Sequence, residues 1–410
     1  EPGFQEFKTA KTVVREFSSI GIPFEQGIGI TGVKGTIMGS DSNGPNVAVM
    51  GELDSLKVLG HPHEDSSTSA AHACGHHCQI AMMLGVAMAL QAPGVLETLS
   101  GRISLMAVPA EEYIDVEYRD NLRRDGKIEF LGGKPEFVRH GHLDDVDLAM
   151  MTHTSASPES GKISYGGTNN GLVAKSIKFT GKASHAGGAP HMGVNALNAA
   201  MIAMSAIHAQ RETYRDQDTI RIHPIITRGG VAVSSVPADV RMETYVRGAS
   251  IEAFLSASEK VDRALRAGAL AVGGSVTITT LPGYLPISSS ESMLELYVEN
   301  AASLVGKESL NKLSHRTGST DMGDISQLMP VIHPYVEAAS GQGHGIDYLV
   351  RDYELGVLTG SKAMAMTVVD LLSDGGRKGK SISNGYKPPL TKGEYLALLR
   401  GMMREDTYTE

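Results

Sequence analysis

The strongest constraint in this sequence is a repeated pattern: short apolar segments that end in side chains able to bind metals or protons. Such segments, rich in apolar and β-branched residues as buried strands are, lie at 46–50, 101–108 and 146–152. They are followed, in chain order, by Asp54, by the pair Glu111 and Glu112, and by His153. In open α/β sheets the chemistry usually lies at the carboxyl ends of the strands. The repetition therefore predicts an α/β sheet with a functional site along one edge.

The carboxylate pair is the most informative of these strand ends. In an extended segment neighbouring side chains point in opposite directions, so one carboxylate can bind a metal while the other faces a water molecule. A solvated surface turn is the alternative interpretation of Glu111 and Glu112.

A second candidate feature is the stretch HACGHHC at 72–78, which precedes an apolar helix predicted over 80–90. Cysteine and histidine at this spacing suit zinc, cobalt or manganese. Taken alone, the stretch is equally compatible with a helix N-terminus that carries histidines and a buried cysteine. Only further candidate metal ligands elsewhere in the chain can distinguish a metal site from an ordinary helix N-terminus.

Composition limits the class of protein. A chain of 410 residues is too long for one ordinary core and predicts two domains. The net charge of −9 argues against nucleic acid or an anionic membrane as a partner. With only two cysteines, a disulfide framework is excluded, and we expect a cytoplasmic protein. No run of about 18 apolar residues predicts a membrane span, and no signal peptide is in view.

The pattern changes near residue 168. Strand, helix, strand, strand, helix and strand follow one another up to Thr280, and this order predicts a compact α+β module of the βαββαβ, ferredoxin-like type. The predicted domains are therefore 1–166, the inserted 167–283, and 284–410, which resumes the first domain.

Together these motifs resemble the dinuclear-metal amidohydrolases and peptidases, which include aminoacylases, indole-acetyl-amino-acid hydrolases, aminobenzoyl-glutamate hydrolases and glutamate carboxypeptidases. The resemblance covers nearly the whole chain, in order: GELD at 51–54, HACGH at 72–76, PAEE at 109–112, His153, GKASHAG at 181–187, GVNAL at 193–197, STDMG at 319–323 and His344. It is closest to the amidohydrolase branch, in which a cysteine replaces the usual bridging aspartate.

The resemblance implies an α/β fold: a larger catalytic domain with a mixed central sheet flanked by helices, interrupted by the α+β domain as a dimerisation or lid domain. It implies two divalent metal ions per subunit (Zn, Mn or Co), with these ligands: Cys74, His76, Glu112, His153 and His344. It makes Glu111 the general base for a metal-activated water, Asp54 the carboxylate that orients a ligand, and His185 the oxyanion stabiliser, typically across a homodimer interface. Substrate contacts are implied for Asn195, Arg247 and Thr320, although Arg247 alone is equally compatible with a surface ion pair.

The implied activity is metal-dependent hydrolysis of the amide bond in an N-acyl or aminobenzoyl amino acid. A dipeptidase or carboxypeptidase on the same scaffold is the alternative, and a non-catalytic dimeric metal-binding protein is a third interpretation. A serine hydrolase is not supported, because the chain has no Gly-x-Ser-x-Gly motif. The sequence departs from the branch at His77, at Ser234 and in the long charged segment 113–140, and it specifies neither the acyl group nor the metal.

Overall fold

The computed structural model describes residues 1–157 and 161–409. The helices are α1 Phe7–Ser19, α2 His76–Leu90, α3 Val116–Arg124, α4 Gly133–Arg139, α5 Ala196–His208, α6 Ile251–Leu270, α7 Glu291–Val305, α8 Met322–Ser326, α9 Gly360–Gly385 and α10 Lys392–Met402. The strands are β1 Phe24–Ile28, β2 Gly32–Met38, β3 Asp41–Glu52, β4 Leu56–Lys57, β5 Ala70–Ala71, β6 Ser100–Val108, β7 Leu148–Met150, β8 His153–Thr154, β9 Ile163–Tyr165, β10 Gly171–Thr180, β11 Arg221–Ile222, β12 Ile225–Arg228, β13 Asp239–Gly248, β14 Ser275–Pro282, β15 Leu310–Lys312, β16 Val331–Ile332, β17 Tyr335–Val336, β18 Ala339–Ser340, β19 Leu349–Val350 and β20 Arg404–Tyr408.

These elements form two compact units. Unit 1 comprises Glu1–Thr168, Ser288–His315 and Asp324–Lys392, and unit 2 comprises Asn169–Ile287, Arg316–Gly323 and Gly393–Glu410. Unit 2 thus includes residues 284–287 and two later segments that the predicted domains place in 284–410. Compact packing alone does not define functional domains, so the boundaries at 166 and 283 stay a prediction.

Unit 1 is organised around a mixed sheet with the strand order β1-β2-β6-β3-β7-β16. The central strands β6, β3, β7 and β16 are parallel, and β1 and β2 are antiparallel additions at one edge. The second half of β3 is buried without interruption, as expected for a parallel strand covered on both faces. Four parallel strands bring their carboxyl ends to one edge of the sheet.

Two apolar helices, α2 and α9, pack on β3 and against each other. Helix α2 is apolar around its circumference, which fits a helix surrounded by core. The helical stretch Glu354–Gly385 is long and apolar enough to cross a membrane by composition alone. However, 56% of its most apolar window is buried within the protein, and its backbone leaves the helical conformation at 373–376. It is therefore a core helix.

Unit 2 contains an antiparallel sheet with the order β11-β13-β10-β14-β20, in which β12 also pairs with β13. Strand β13 alternates between buried and half-buried residues along its whole length, the pattern of a strand with one face on a core. Helices α5 and α6 pack against each other and against this sheet. The side chains of Asn195 and Ser250 cap their first turns.

The predicted fold class is confirmed: a mixed central sheet flanked by helices, and a βαββαβ module from β10 to β14. Three details of the fold go beyond the predictions. The second strand of the predicted module is divided into β11 and β12, and the charged segment 113–140 contains the helices α3 and α4. The C-terminal elements α10 and β20 were not predicted.

Candidate metal centre

The carboxyl ends of β3 and β6 place four carboxylates side by side. In the parallel pairing of these strands Glu52 lies opposite Val108, so the residues that follow each strand leave the sheet together. Asp54 accepts a hydrogen bond from the backbone N–H of Glu112 at 2.8 Å, which ties the two strand ends. Glu52, Asp54, Glu111 and Glu112 are all buried.

The residue before the glutamate pair, Ala110, has a left-handed backbone conformation that sets the direction of the turn. Ala110 has a φ of +58°, a conformation that costs a residue with a Cβ about 1 kcal/mol or more. The buried carboxylate of Glu6 accepts the Ala110 N–H at 2.8 Å, and its other oxygen accepts the hydroxyl of Thr31 at 2.6 Å. The guanidinium of Arg119, also buried, donates to the carbonyl oxygens of Ala110 and Glu112. Side chains outside the strand therefore hold the turn in place.

Helix α2 begins with His76, and Cys74 lies two residues before it. Gly75 precedes its first turn with a φ of +94°, and a Cβ there would stand 1.9 Å from Thr154 Oγ1, so only glycine fits. His76 Nδ1 lies 3.0 Å from the carbonyl oxygen of Asp54 and 3.2 Å from its Oδ1. Nδ1 therefore donates a proton to Asp54, and Nε2 is directed to the other side, as in carboxylate–histidine–metal arrangements.

Among residues 1–157 and 161–409 the donor atoms form three overlapping groups, and within each group they lie within 4.8 Å of one another: Cys74, His76 and His153; Cys74, Glu112 and His344; Glu52, His76 and Glu111. Cys74 belongs to two groups, and its sulfur is 3.4 Å from His153 Nε2.

His344 comes from a loop and completes the second group. Its Nε2 lies 3.4 Å from Glu112 Oε1, and its backbone N–H donates to the carbonyl of Ala73 at 2.9 Å. The imidazole is largely exposed, unlike the other donors, and the residue has a φ of +65°. The loop therefore presents His344 to the solvent side of the cluster.

The donors fit divalent metal ions. Within the part of the chain that the structure describes, the buried atoms His76 Nε2 and Glu112 Oε1 are among those that make no hydrogen bond, although buried polar atoms in proteins nearly always do. The surrounding carboxylates outnumber the buried cations Arg119 and Lys134, so a bound cation would relieve their repulsion. A mixed set of sulfur, imidazole and carboxylate donors suits zinc, manganese and cobalt.

The same crowding shifts the pKa values of the donors. Burial and the neighbouring Glu112 raise the pKa of Cys74 well above its ordinary value. Burial disfavours protonation of His76, but the Cys74 sulfur and the Glu52 carboxylate outweigh it and raise the pKa of His76. Burial alone would raise the pKa of Glu52, but the neighbouring charges of Lys134 and His76 lower it to about 2.

The other residues of the HACGHHC stretch have local roles. Cys78 packs in the core of unit 1, and burial raises the pKa of its thiol to about 12. The rings of His72 and His77 lie 5.0 Å apart. Burial, His76 and His63 lower the pKa of His77 to about 4, so this departure from the family pattern adds a neutral imidazole beside His72. Both cysteines are free thiols.

The remaining predicted site residues lie in unit 2. His185 is exposed, and its Nδ1 accepts the N–H groups of Gly187 at 3.2 Å and Gly188 at 2.8 Å. The ring proton is therefore on Nε2, as an oxyanion donor requires. The Oδ1 of Asn195 accepts the N–H groups of Leu197 and Asn198 and so caps α5.

The two remaining candidates for substrate contact are tied into one short segment of unit 2. Arg247 donates to Ser319 Oγ at 2.8 Å and stacks on the ring of Tyr245. Thr320 is buried, and its hydroxyl accepts the N–H of Met322 at 3.3 Å. These contacts are equally consistent with a purely structural role for Arg247 and Thr320.

The sequence interpretation missed Glu52 and Lys134. Lys134 Nζ lies 2.6 Å from Glu52 Oε1, and neither side chain is more than 1% exposed. A glutamate that continues the buried strand β3 was a signal that could have identified Glu52. Lys134 gave no such signal, because its segment has charged residues and glycines but no clear helical pattern.

Comparisons with known proteins agree with this geometry. Residues 168–272 match the family described as a peptidase dimerisation domain. The chain is 30% identical to the Xaa-Arg dipeptidase of Mus musculus over 339 residues, which is 80% of this chain and 70% of the relative. It is 27% identical to the indole-3-acetyl-aspartic acid hydrolase of Enterobacter agglomerans, over 72% of this chain and 65% of the relative.

Among solved structures, a dinuclear metal-binding peptidase of the M20 family from Bacillus subtilis superposes with a TM-score of 0.63. The match has 21% sequence identity and covers 91% of this chain and 94% of the other, so it supports the fold. The resemblance seen in the sequence motifs is thus confirmed by sequence and by fold. The chain belongs to the M20 family of peptidases and amidohydrolases.

Proposed function

We propose that this protein hydrolyses the amide bond of N-acyl or aminobenzoyl amino acids in a metal-dependent reaction. The observation that carries the proposal is the placement of the adjacent pair Glu111 and Glu112. Glu112 belongs to the donor group of Cys74 and His344, whereas Glu111 belongs to the group of His76, with its Oε2 3.8 Å from His76 Nε2. Of two adjacent carboxylates at the donor cluster, one can hold a metal and the other can exchange a proton with a water molecule.

The proposed ligands are Cys74, His76, Glu112, His153 and His344, which would hold two divalent ions, with Cys74 shared. Zinc, manganese and cobalt are the candidates. When bound, such ions polarise the scissile carbonyl and lower the pKa of a water molecule. Asp54 contributes by holding His76 through Nδ1, which directs Nε2 into the site.

In the proposed reaction Glu111 accepts a proton from the attacking water and delivers it to the leaving amine nitrogen. His185 donates its Nε2–H to the oxygen that becomes negative as the carbonyl is attacked. For substrate recognition we propose the Asn195 amide group, Arg247 and Thr320. Arg247 is the candidate for a substrate carboxylate, because a guanidinium binds carboxylates through two parallel hydrogen bonds.

A dipeptidase activity is the second candidate. It is favoured by the mouse relative, whose name specifies Xaa-Arg dipeptides. Both substrate classes present an amide bond next to a free carboxylate, so the same donors would serve either. What differs is the group on the far side of the amide.

We also propose a homodimer formed through unit 2. Strand β12 is exposed along its length, and the loop after it carries Val231 and Val233, which are 86% and 101% exposed. Within residues 1–157 and 161–409, β12 pairs only with β13. A free strand edge beside exposed apolar side chains is suited to pairing with a second chain. A cytoplasmic location remains a prediction.

The test is hydrolysis of a panel of N-acetyl, aromatic-acyl and aminobenzoyl amino acids and Xaa-Arg dipeptides, after removal of metal and reconstitution with Zn, Mn or Co. We expect Glu111→Gln to keep its bound metal and to lose about 10²- to 10⁴-fold in turnover, the usual contribution of a general base. Glu97→Gln, at an exposed position, serves as the control. Full turnover in the Glu111 variant would refute the assignment of the base.

A further inference from the structure

Helix α4 places a lysine where water does not reach. Lys134 has no exposed surface, and its ammonium group is held by Glu52 at the end of β3. The lysine lies in the 113–140 segment, which is one of the departures from the family pattern. The proposed ligand set uses neither residue.

The second oxygen of Glu52 points to the donor cluster. Oε2 accepts the side-chain amide of Gln79 at 2.9 Å and lies 3.1 Å from His76 Nε2. With Oε1 on Lys134, Oε2 still has a lone pair. Glu52 belongs to the donor group of His76 and Glu111.

The two facing atoms can be bound by one cation. His76 Nδ1 is engaged by Asp54, and Nε2 faces the Glu52 oxygen at 3.1 Å without a hydrogen bond to it. A carboxylate oxygen and an imidazole nitrogen are both metal donors, so a divalent ion that both atoms contact would neutralise the carboxylate at this buried position.

We propose that Glu52 is a further metal ligand on the His76 side of the centre, and that Lys134 is the buried cation that allows another carboxylate there. The inference rests on the proposed metal-dependent function. It also explains the ion pair, since folding alone does not require a buried pair: apolar residues of similar volume fill such positions at no desolvation cost.

The experiment compares Glu52→Gln, Lys134→Met and the double variant, with Lys175→Met as the control. Lys175 is a buried lysine of unit 2 whose Nζ lies 2.7 Å from Asp262, so its loss disturbs an ion pair in the other unit. Metal content is measured by elemental analysis, metal affinity by titration against a competing chelator, and apo stability by thermal unfolding.

We expect Glu52→Gln to weaken the affinity for at least one of the two ions by about tenfold or more, with the second ion retained. Lys134→Met should lower apo stability, because it leaves Glu52 buried without its cation. The double variant removes both charges, so it should recover apo stability yet keep the weak metal binding. It also answers the question if Glu52→Gln fails to fold.

Wild-type metal affinity in the double variant would overturn the role of Glu52 and leave the proposed function intact. A wild-type chain that binds no divalent ion and hydrolyses none of the substrates would instead overturn the proposed function, and this inference with it. Lys175→Met must bind metal as the wild type does. If it also lost affinity, the Glu52 effect would be general destabilisation and the proposal would fall.

Discussion

The buried Glu6 gives this protein a pH-dependent stability that one substitution should remove. Its carboxyl group has no exposure to solvent, and burial, with the nearby Asp54 carboxylate, raises its pKa from 4.5 to about 7. The folded state therefore holds a proton on Glu6 at pH values at which the unfolded chain has lost it. Glutamine at position 6 keeps the acceptor for the Ala110 N–H but cannot ionise.

The sign follows from linkage. A carboxyl whose folded pKa lies above its unfolded value contributes stability that is fully present below about pH 4.5 and is lost as the pH rises through about 7. The whole effect is about 3 kcal/mol, of which about 1 kcal/mol disappears between pH 6 and pH 8. For a unit of this size that loss corresponds to roughly 2 °C in Tm.

The assay is differential scanning calorimetry of the wild type and Glu6→Gln from pH 6 to pH 8, with chelator present so that metal binding does not contribute. Subtracting the two Tm values cancels the other titrating groups and leaves the Glu6 contribution. We expect the wild type to lose about 2 °C relative to the variant across this range. A difference that stays constant with pH would show that Glu6 is ionised in the folded protein and would refute the reasoning. Glu97→Gln should follow the wild type.

Two further predictions concern the start of α2 and the free edge of unit 2. Gly75→Ala should lower the free energy of unfolding by about 2 kcal/mol or more and reduce metal content, because the added Cβ meets Thr154 Oγ1 at a left-handed backbone position. Calorimetry and elemental analysis measure the two effects. Gly401→Ala is the control and should be neutral in both, because the space around Gly401 is open. For the proposed homodimer, Val233→Lys should favour the monomer in sedimentation velocity. Leu270→Lys, at another exposed apolar position, should not, and a dimer that survives Val233→Lys would remove the β12 edge from consideration.

The sheet edge was predictable because its signals are local. Asp54, Glu111 and His153 each follow a short apolar strand, and parallel strands bring such ends together whatever the loops do. The βαββαβ module was predictable for the same reason, since the strand and helix periods alternate clearly from β10 to β14. These features needed no knowledge of long-range contacts.

The supporting groups were not predictable, because their role depends on partners distant in sequence. Glu6 precedes Ala110 by 104 residues, and Lys134 follows Glu52 by 82. A charged residue in a polar segment is normally exposed, and only the tertiary structure shows that Lys134 is not. Asn195 is a different case, because its position in the sequence is visible but its role is ambiguous. Its sequence context fits a substrate contact and a helix cap equally well.

Strand β20 has a consequence for how unit 2 is made. It pairs with β14 along Arg404–Tyr408, and Arg404 reaches the Asp262 carboxylate on α6. During synthesis β14 leaves the ribosome more than 100 residues before its pairing partner β20. The edge of β14 therefore stays unpaired while the rest of unit 1 is synthesised. Strand β20 thus completes a sheet begun much earlier in the chain, and deleting it would alter folding in the middle of the protein.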